Sequence, residues 1–183
     1  MLFSRLLSIF GIICIILAAV LFYQRNNPKR IKFSQPPQAV KISNSKNISP
    51  TRIAIKKVNI DLIIFPAKII DQQWDISTQG ASWLDISPIP GERGNSILYG
   101  HNWTNLMGNL IFVRPGQEIE ITYKNGSKKI FIVDKTAIVS PTNVSVLRQT
   151  SDKRITVYTC TGLFDEKRFI VAAQLKDSLQ QRL

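Results

Sequence analysis

No acidic residue occurs before Asp61, although the first sixty residues carry ten lysines and arginines. The fourteen basic residues that follow face twelve acidic ones. The formal charge of +12 therefore belongs almost wholly to the N-terminal arm, and the rest of the chain is near neutral. That distribution argues against a nucleic-acid enzyme, which carries its basic patch on the folded domain, and no nucleic-acid partner is expected. Cysteine is as scarce. There are two, and Cys14 sits inside an apolar run, so it is not expected to pair with Cys160 and no structural disulfide is expected. Histidine occurs once, at position 101. Long helical periodicity is missing after the N-terminus, and no internal repeat is visible.

The apolar run is Leu6 to Tyr23, eighteen residues without a charge. At about 1.5 Å per residue this is near the shortest helix that spans a bilayer. A cleaved leader has an apolar region of about 7 to 15 residues and ends in a small-x-small site. Here the run is longer, and Ala18-Ala19 is followed by bulky Val-Leu-Phe-Tyr. Residues 1–23 read as an uncleaved, single-pass membrane anchor, with a cleaved leader and a buried core helix as alternatives. Arg5 precedes the span, whereas Arg25, Lys29, Arg30 and Lys32 follow it. The positive-inside bias on its own puts the following domain in the cytoplasm. Residues 24–50 are polar and basic and contain Pro28, Pro36, Pro37 and Pro50, so they read as a linker. Residues 51–183, about 130 in number, suffice for one domain with its own core.

Within that domain the apolar stretches are short. Arg52 to Val58 and Leu62 to Phe65 read as the first two strands. Gly80 to Leu84 reads as a short helix or turn. Pro88 to Gly94 is turn chemistry that feeds Asn95-Ser-Ile-Leu-Tyr-Gly-His101, a short strand ending in the histidine. Asn102 to Leu110 reads as a loop and short helix, with Trp103 as a packing residue or a wall of the cleft. Glu118 to Tyr123, Asn125-Gly126 and Lys129 to Val133 form a hairpin signal with one wet face. Thr136 to Lys153 is long for a loop. Many short strands indicate an all-β barrel with minor helices.

The chemistry concentrates near the end. Ile155 to Thr159 is β-branched and aromatic, so it reads as a strand, and Cys160 stands where it ends. Gly162 lets the chain turn, and Phe169 to Ala173 returns as a second strand with Arg168 at its start. A free thiol ionises near pH 8.5 and is a poor nucleophile at neutral pH. An imidazole such as His101 can accept its proton and later donate one to a leaving amine. A guanidinium such as Arg168 can stabilise an acyl-transfer oxyanion. If the strand is regular, Thr156, Tyr158 and Cys160 share one face, either lining a groove or filling the barrel.

At these residues the chain resembles the sortase family. Thr156-Val-Tyr-Thr-Cys160 is similar to the family's Thr-Leu-x-Thr-Cys signature, with Val157 in place of leucine. Asn95 to His101 resembles the strand leading to Gly-His, and Arg168 followed by Phe-Ile-Val resembles the family's arginine position. The resemblance covers roughly Thr51 to Leu175. At Ile55-Lys56 the chain departs from the family's usual Ile-Pro.

The resemblance implies an eight-stranded β-barrel and catalytic roles for His101, Cys160 and Arg168. It implies substrate contacts at Thr156 and Tyr158, and support of Arg168 or the oxyanion by Thr159. It also implies a membrane-anchored cysteine transpeptidase with its domain outside the cytoplasm, against the charge count. Such an enzyme cleaves a Leu-Pro-x-Thr-Gly-like sorting signal through a thioester. It passes the protein to an amine acceptor, a peptidoglycan precursor or a pilin lysine. Some sortases bind calcium near the segment 136–153. Here that segment holds one acid, Asp152, so no metal or other cofactor is expected, and the class reads as D, E or F rather than calcium-dependent A. Asp165 and Glu166 could orient Arg168 or His101, or be solvated loop charges. The competing functions are a hydrolytic cysteine peptidase on the same scaffold and a non-catalytic, envelope-binding β-domain.

Overall fold

The computed structural model describes residues 2–25, 31–39 and 48–176. Helix α1, Leu2–Arg25, holds the apolar run, and Arg5–Tyr23 is long and apolar enough to cross a membrane. Residues 26–30 and 40–47 of the expected linker, and the polar tail from 177, lie outside the described residues.

Ten strands follow among the described residues: β1 (Pro50–Ile55), β2 (Ile60–Ala67), β3 (Ile69–Ile70), β4 (Gln73–Trp74), β5 (Ala81–Leu84), β6 (Gly94–Tyr99), β7 (Glu118–Tyr123), β8 (Lys128–Val139), β9 (Lys153–Thr161) and β10 (Lys167–Leu175). Eight of them close a barrel in the order β1-β2-β5-β6-β9-β10-β8-β7, with β7 returning to β1. The eight-stranded barrel implied by the family resemblance is therefore the fold. β3 and β4 form a separate small hairpin.

Alternation of side chains sorts each strand into two faces. Ile53, Ile55, Leu98, Ile119, Ile121, Ile155, Val157 and Val171 point inward and form the barrel core. A second apolar cluster lies on the outside of the sheet, across β6, β9 and β10. It contains Ile97, Tyr99, Tyr158, Cys160 and Ile170. Both faces of β9 are thus covered, which is why Ile155 to Cys160 is buried without a break.

Two expected elements differ. Gly80 to Leu84, read as a helix or turn, instead contains strand β5 (Ala81–Leu84), all four of whose residues are buried. Its pattern is uninterrupted because both faces are covered, Ala81 and Trp83 packing in the barrel core and Leu84 in the outer cluster. The return strand of the hairpin continues to Val139, shortening the following loop to residues 140–152 with a 3-10 turn at Val144–Leu147. Pairing with β10 as far as Arg168 sustains that extension. The Asn125-Gly126 turn is as expected, with Gly126 at φ 79°.

Leu98 is completely buried in the barrel core. Leu98→Ala is expected to lower the stability of the full chain by about 2–5 kcal/mol, from lost transfer energy and the cavity left behind. Chemical unfolding followed by tryptophan fluorescence measures it.

Candidate active site

Three strand ends bring the chemistry together. β6 and β9 run parallel, with Tyr99 opposite Tyr158, so Gly100-His101 emerge from the end of β6 alongside Thr159-Cys160, which are still in β9. Gly100 N–H bonds to the Tyr158 carbonyl at 3.3 Å, which continues the pairing toward His101. β10 is antiparallel to β9 and sets Arg168 directly opposite Cys160. The three expected catalytic residues therefore lie in or just beyond three neighbouring strands at one end of the barrel. A Cβ at Gly100 would lie 2.8 Å from Met107 Cγ, so a side chain there would force the buried Met107 to shift.

His101 is 8 % exposed and lies flat against Trp103, with ring centroids 4.4 Å apart and planes 8° from parallel. Trp103 is thus both a packing residue and the face on which the imidazole rests. Burial lowers the His101 pKa below its ordinary value, and the nearby Asp165 carboxylate opposes that shift. The imidazole is consequently mostly neutral at pH 7 and able to accept a proton.

The turn after Cys160 is tightly constrained. Gly162, Phe164 and Asp165 all have positive φ. Asp165 Oδ1 accepts a bond from Asn102 Nδ2 at 2.7 Å, tying this turn to the histidine loop. The Asp165 carbonyl accepts one from Arg168 Nη1 at 2.9 Å. Of the two loop acids, Asp165 connects to Arg168 and, through Asn102, to the loop that holds His101.

Arg168 is buried at 3 % exposure. Besides the Asp165 and Lys167 carbonyls, its guanidinium reaches the segment 31–39. Nε donates to the Ile31 carbonyl at 3.2 Å and Nη2 to the Lys32 carbonyl at 3.0 Å. Ile31 and Phe33 are buried in the outer cluster, and Ser34 N–H bonds to the Pro141 carbonyl. Phe33 packs edge-on against Tyr158, centroids 5.1 Å apart, and at 6.4 Å from Trp74. Part of the stretch read as linker therefore packs on the outer face of the sheet in the same cluster as Cys160, which is only 5 % exposed. The alternation Ile31-Lys32-Phe33 was the available signal for this, hidden in an otherwise polar, proline-bearing stretch.

Tyr158 stacks on Tyr99 at 5.3 Å, and burial raises its pKa well above the phenol range. Its hydroxyl is buried with no hydrogen-bond partner among the described residues. Thr156 Oγ1 donates to Asn95 Oδ1 at 2.8 Å. Both belong to the outer face with Cys160, not to the barrel interior. The Thr159 hydroxyl donates to the Gly100 carbonyl at 2.8 Å, bracing β9 against the approach to His101. Among the described residues, no group of three or more His, Cys, Asp or Glu is placed to hold a metal.

A family model described as the sortase domain matches residues 53–176. Sortase A of Listeria monocytogenes is 28 % identical over 128 residues, which are 68 % of this chain and 55 % of that protein. The chain therefore spans little more than half the length of this curated relative. Among solved structures, Listeria monocytogenes sortase A is 27 % identical with a TM-score of 0.57, covering 72 % of this chain and 88 % of that one. A Clostridium perfringens sortase D5 transpeptidase is 27 % identical with a TM-score of 0.59, covering 74 % and 82 %. Corynebacterium diphtheriae sortase A is 26 % identical with a TM-score of 0.61, covering 72 % and 62 %. These relatives carry different class letters.

Two outcomes are expected. In a Cys14→Ser background, Phe33→Ala should speed modification of Cys160 by a small aromatic disulfide at least about tenfold, because the aromatic packing that holds the segment down is lost. An unchanged rate would mean that the segment does not control access. NMR titration of the single imidazole should give a midpoint below about 6.5, and Asp165→Asn should lower it further, because the carboxylate favours the cation.

Proposed function

The chain belongs to the sortase family, and from that premise we propose that it is a membrane-anchored cysteine transpeptidase with His101, Cys160 and Arg168 as its catalytic residues. The observation that carries this reading is the convergence of the three on adjacent strand ends, with Cys160 opposite Arg168 and beside His101. The anchor is α1, and the domain acts outside the cytoplasm, where sorting-signal proteins meet wall precursors or pilins. The family likeness outweighs the positive-inside count, which rests on only a few residues.

The reaction begins when segment 31–33 leaves the groove and an extended peptide with a Leu-Pro-x-Thr-Gly-like signal replaces it. Backbone carbonyls of the peptide take the places on Arg168 now held by those of Ile31 and Lys32. The buried Tyr158 hydroxyl gains an acceptor. Neutral His101 accepts the Cys160 proton, and the thiolate attacks the scissile carbonyl. Arg168 holds the oxyanion with N–H donors fixed in place before the charge develops. The imidazolium then protonates the departing amine, leaving a thioester on Cys160. An acceptor amine, from a peptidoglycan precursor or a pilin lysine, gives its proton to His101 and attacks the thioester. The new amide departs and the thiol is restored. No step requires a metal. Thr156 contributes to the groove floor, and Thr159 maintains its shape. The calcium-independent character and a class nearer D, E or F remain part of this reading.

Full-length protein in detergent, mixed with a sorting-signal peptide and triglycine, is expected to yield a ligated product, and Cys160→Ala none. Arg168→Lys should lower kcat/KM by about 10²–10³-fold, since an ammonium cannot reproduce the fork of donors. Cleavage without ligation at any amine concentration would favour a hydrolase. Full activity in Cys160→Ala would reject the proposal.

A further inference from the structure

The turn that follows Cys160 presents apolar side chains to solvent. Leu163 is 71 % exposed and Phe164 52 % exposed, both on the 3-10 turn Leu163–Asp165. Phe164 stands at φ 56°, in the left-handed region, which is costly for an aromatic residue. The turn is braced in that shape, because Asp165 is bonded through its side chain to Asn102 and through its carbonyl to Arg168. Two large apolar side chains are therefore held outward at the active-site end of the barrel.

The chain arrives from the anchor beside this turn. Lys32, Leu163 and Phe164 border one hollow of about 450 Å³. Segment 31–34 is fixed there by the bonds from Arg168 to the Ile31 and Lys32 carbonyls and from Ser34 N–H to the Pro141 carbonyl. The apolar span ends at Tyr23, eight residues before Ile31. Eight residues reach at most about 29 Å even when fully extended. A domain of about 130 residues has a radius of gyration of about 14 Å and is roughly 36 Å across. The leash is shorter than the domain, so orientations that turn this end directly away from the bilayer are excluded while the segment is seated. Helix α1 itself comes within 8 Å of the turn between Cα atoms. The leash is also basic, with Arg25, Lys29 and Arg30 and no acid. Lys32 and the exposed Lys167 flank the turn, against Glu166 and the Asn102-bonded Asp165.

We propose that Leu163 and Phe164 dock the active-site end of the barrel onto the bilayer in which α1 is anchored, with both side chains at the level of the headgroups and first acyl carbons. An apolar tip flanked by cations suits that interface, where the aromatic and aliphatic groups leave water and the cations meet anionic headgroups. The docking rests on α1 spanning the membrane and is independent of catalysis. The geometry is the same on either side of the bilayer. A short leash favours lipid over a second copy, because it brings this end to the membrane in every chain. When the segment leaves the groove the leash lengthens, and the two side chains keep the end in place.

The test uses the full chain with Cys14→Ser and Cys160→Ala, reconstituted in vesicles of phosphatidylcholine and phosphatidylglycerol. A nitrobenzoxadiazole label is attached at Glu166→Cys on the turn or at Lys124→Cys in the hairpin at the opposite end of β8, both exposed positions. Lipids carrying a nitroxide near the headgroup should quench the label at 166 at least about twice as strongly as the label at 124. Leu163→Asn with Phe164→Asn, asparagine being tolerant of positive φ, should remove that difference. Equal quenching at the two sites, or a difference that survives the double variant, overturns the docking. Emission that shifts to the blue without lipid quenching, and reverts in nanodiscs holding one copy each, would give the surface to a second copy and overturn it as well. Flotation with the vesicles separates the anchor from the docking. A chain that does not float loses both, and one that floats with equal quenching loses the docking alone.

Discussion

The parallel pairing of β6 with β9 is the constraint on which everything else rests. It lets two segments fifty-nine residues apart in sequence deliver an imidazole and a thiol to the same level of one sheet. A parallel neighbour cannot be reached by a tight turn. The chain therefore spends β7 and β8 between them, and these strands close the far side of the barrel. β10 then returns antiparallel to place Arg168 opposite Cys160. Register is exacting here, because a slip of one residue on β9 would turn Cys160 into the core and Val157 out of it. The buried ladders of Ile155, Val157 and Val171 inside, and Tyr158 and Ile170 outside, oppose such a slip from both faces.

Covering the outer face has consequences for reactivity. Phe33 and Ile31 complete an apolar cluster that β6, β9 and β10 cannot close alone. The same segment supplies carbonyls to a buried guanidinium, which would otherwise be costly to desolvate. The arrangement leaves the Tyr158 hydroxyl without a partner among the described residues. A buried hydroxyl in that state costs about 1–3 kcal/mol. An incoming strand that satisfied it would therefore hold an advantage over the resident segment. Occlusion and readiness to bind thus arise from one packing arrangement.

Much of this was legible in the sequence, and the reasons are local. The Asn125-Gly126 hairpin has a turn that only a few residue types adopt. The strands around Cys160, Arg168 and His101 are short β-branched or apolar runs with polar ends. Their order along the chain carried the family resemblance. What escaped depends on contacts between distant segments. β5 shows no alternation because it is buried on both sides, so its pattern matched a helix as well as a strand. Segment 31–33 is apolar at only two positions, which is ordinary in a linker until Tyr158 and Trp74 are known to face it. Asp165 differs from Glu166 through its positive φ, its bond to Asn102 and its carbonyl's bond to Arg168, none visible in a pair of loop acids. Thr159 lies beside the thiol in sequence, and its bond to Gly100 is not visible there.

The most direct measurement is the intact mass of the full-length protein after incubation with a Leu-Pro-x-Thr-Gly peptide and no acceptor amine. The account predicts an added mass equal to the acyl fragment ending at threonine. That mass should map to Cys160, be absent from Cys160→Ala, and disappear when triglycine is added. Peptide cleavage that proceeds in Cys160→Ala, with no covalent species on the wild-type chain, would contradict it.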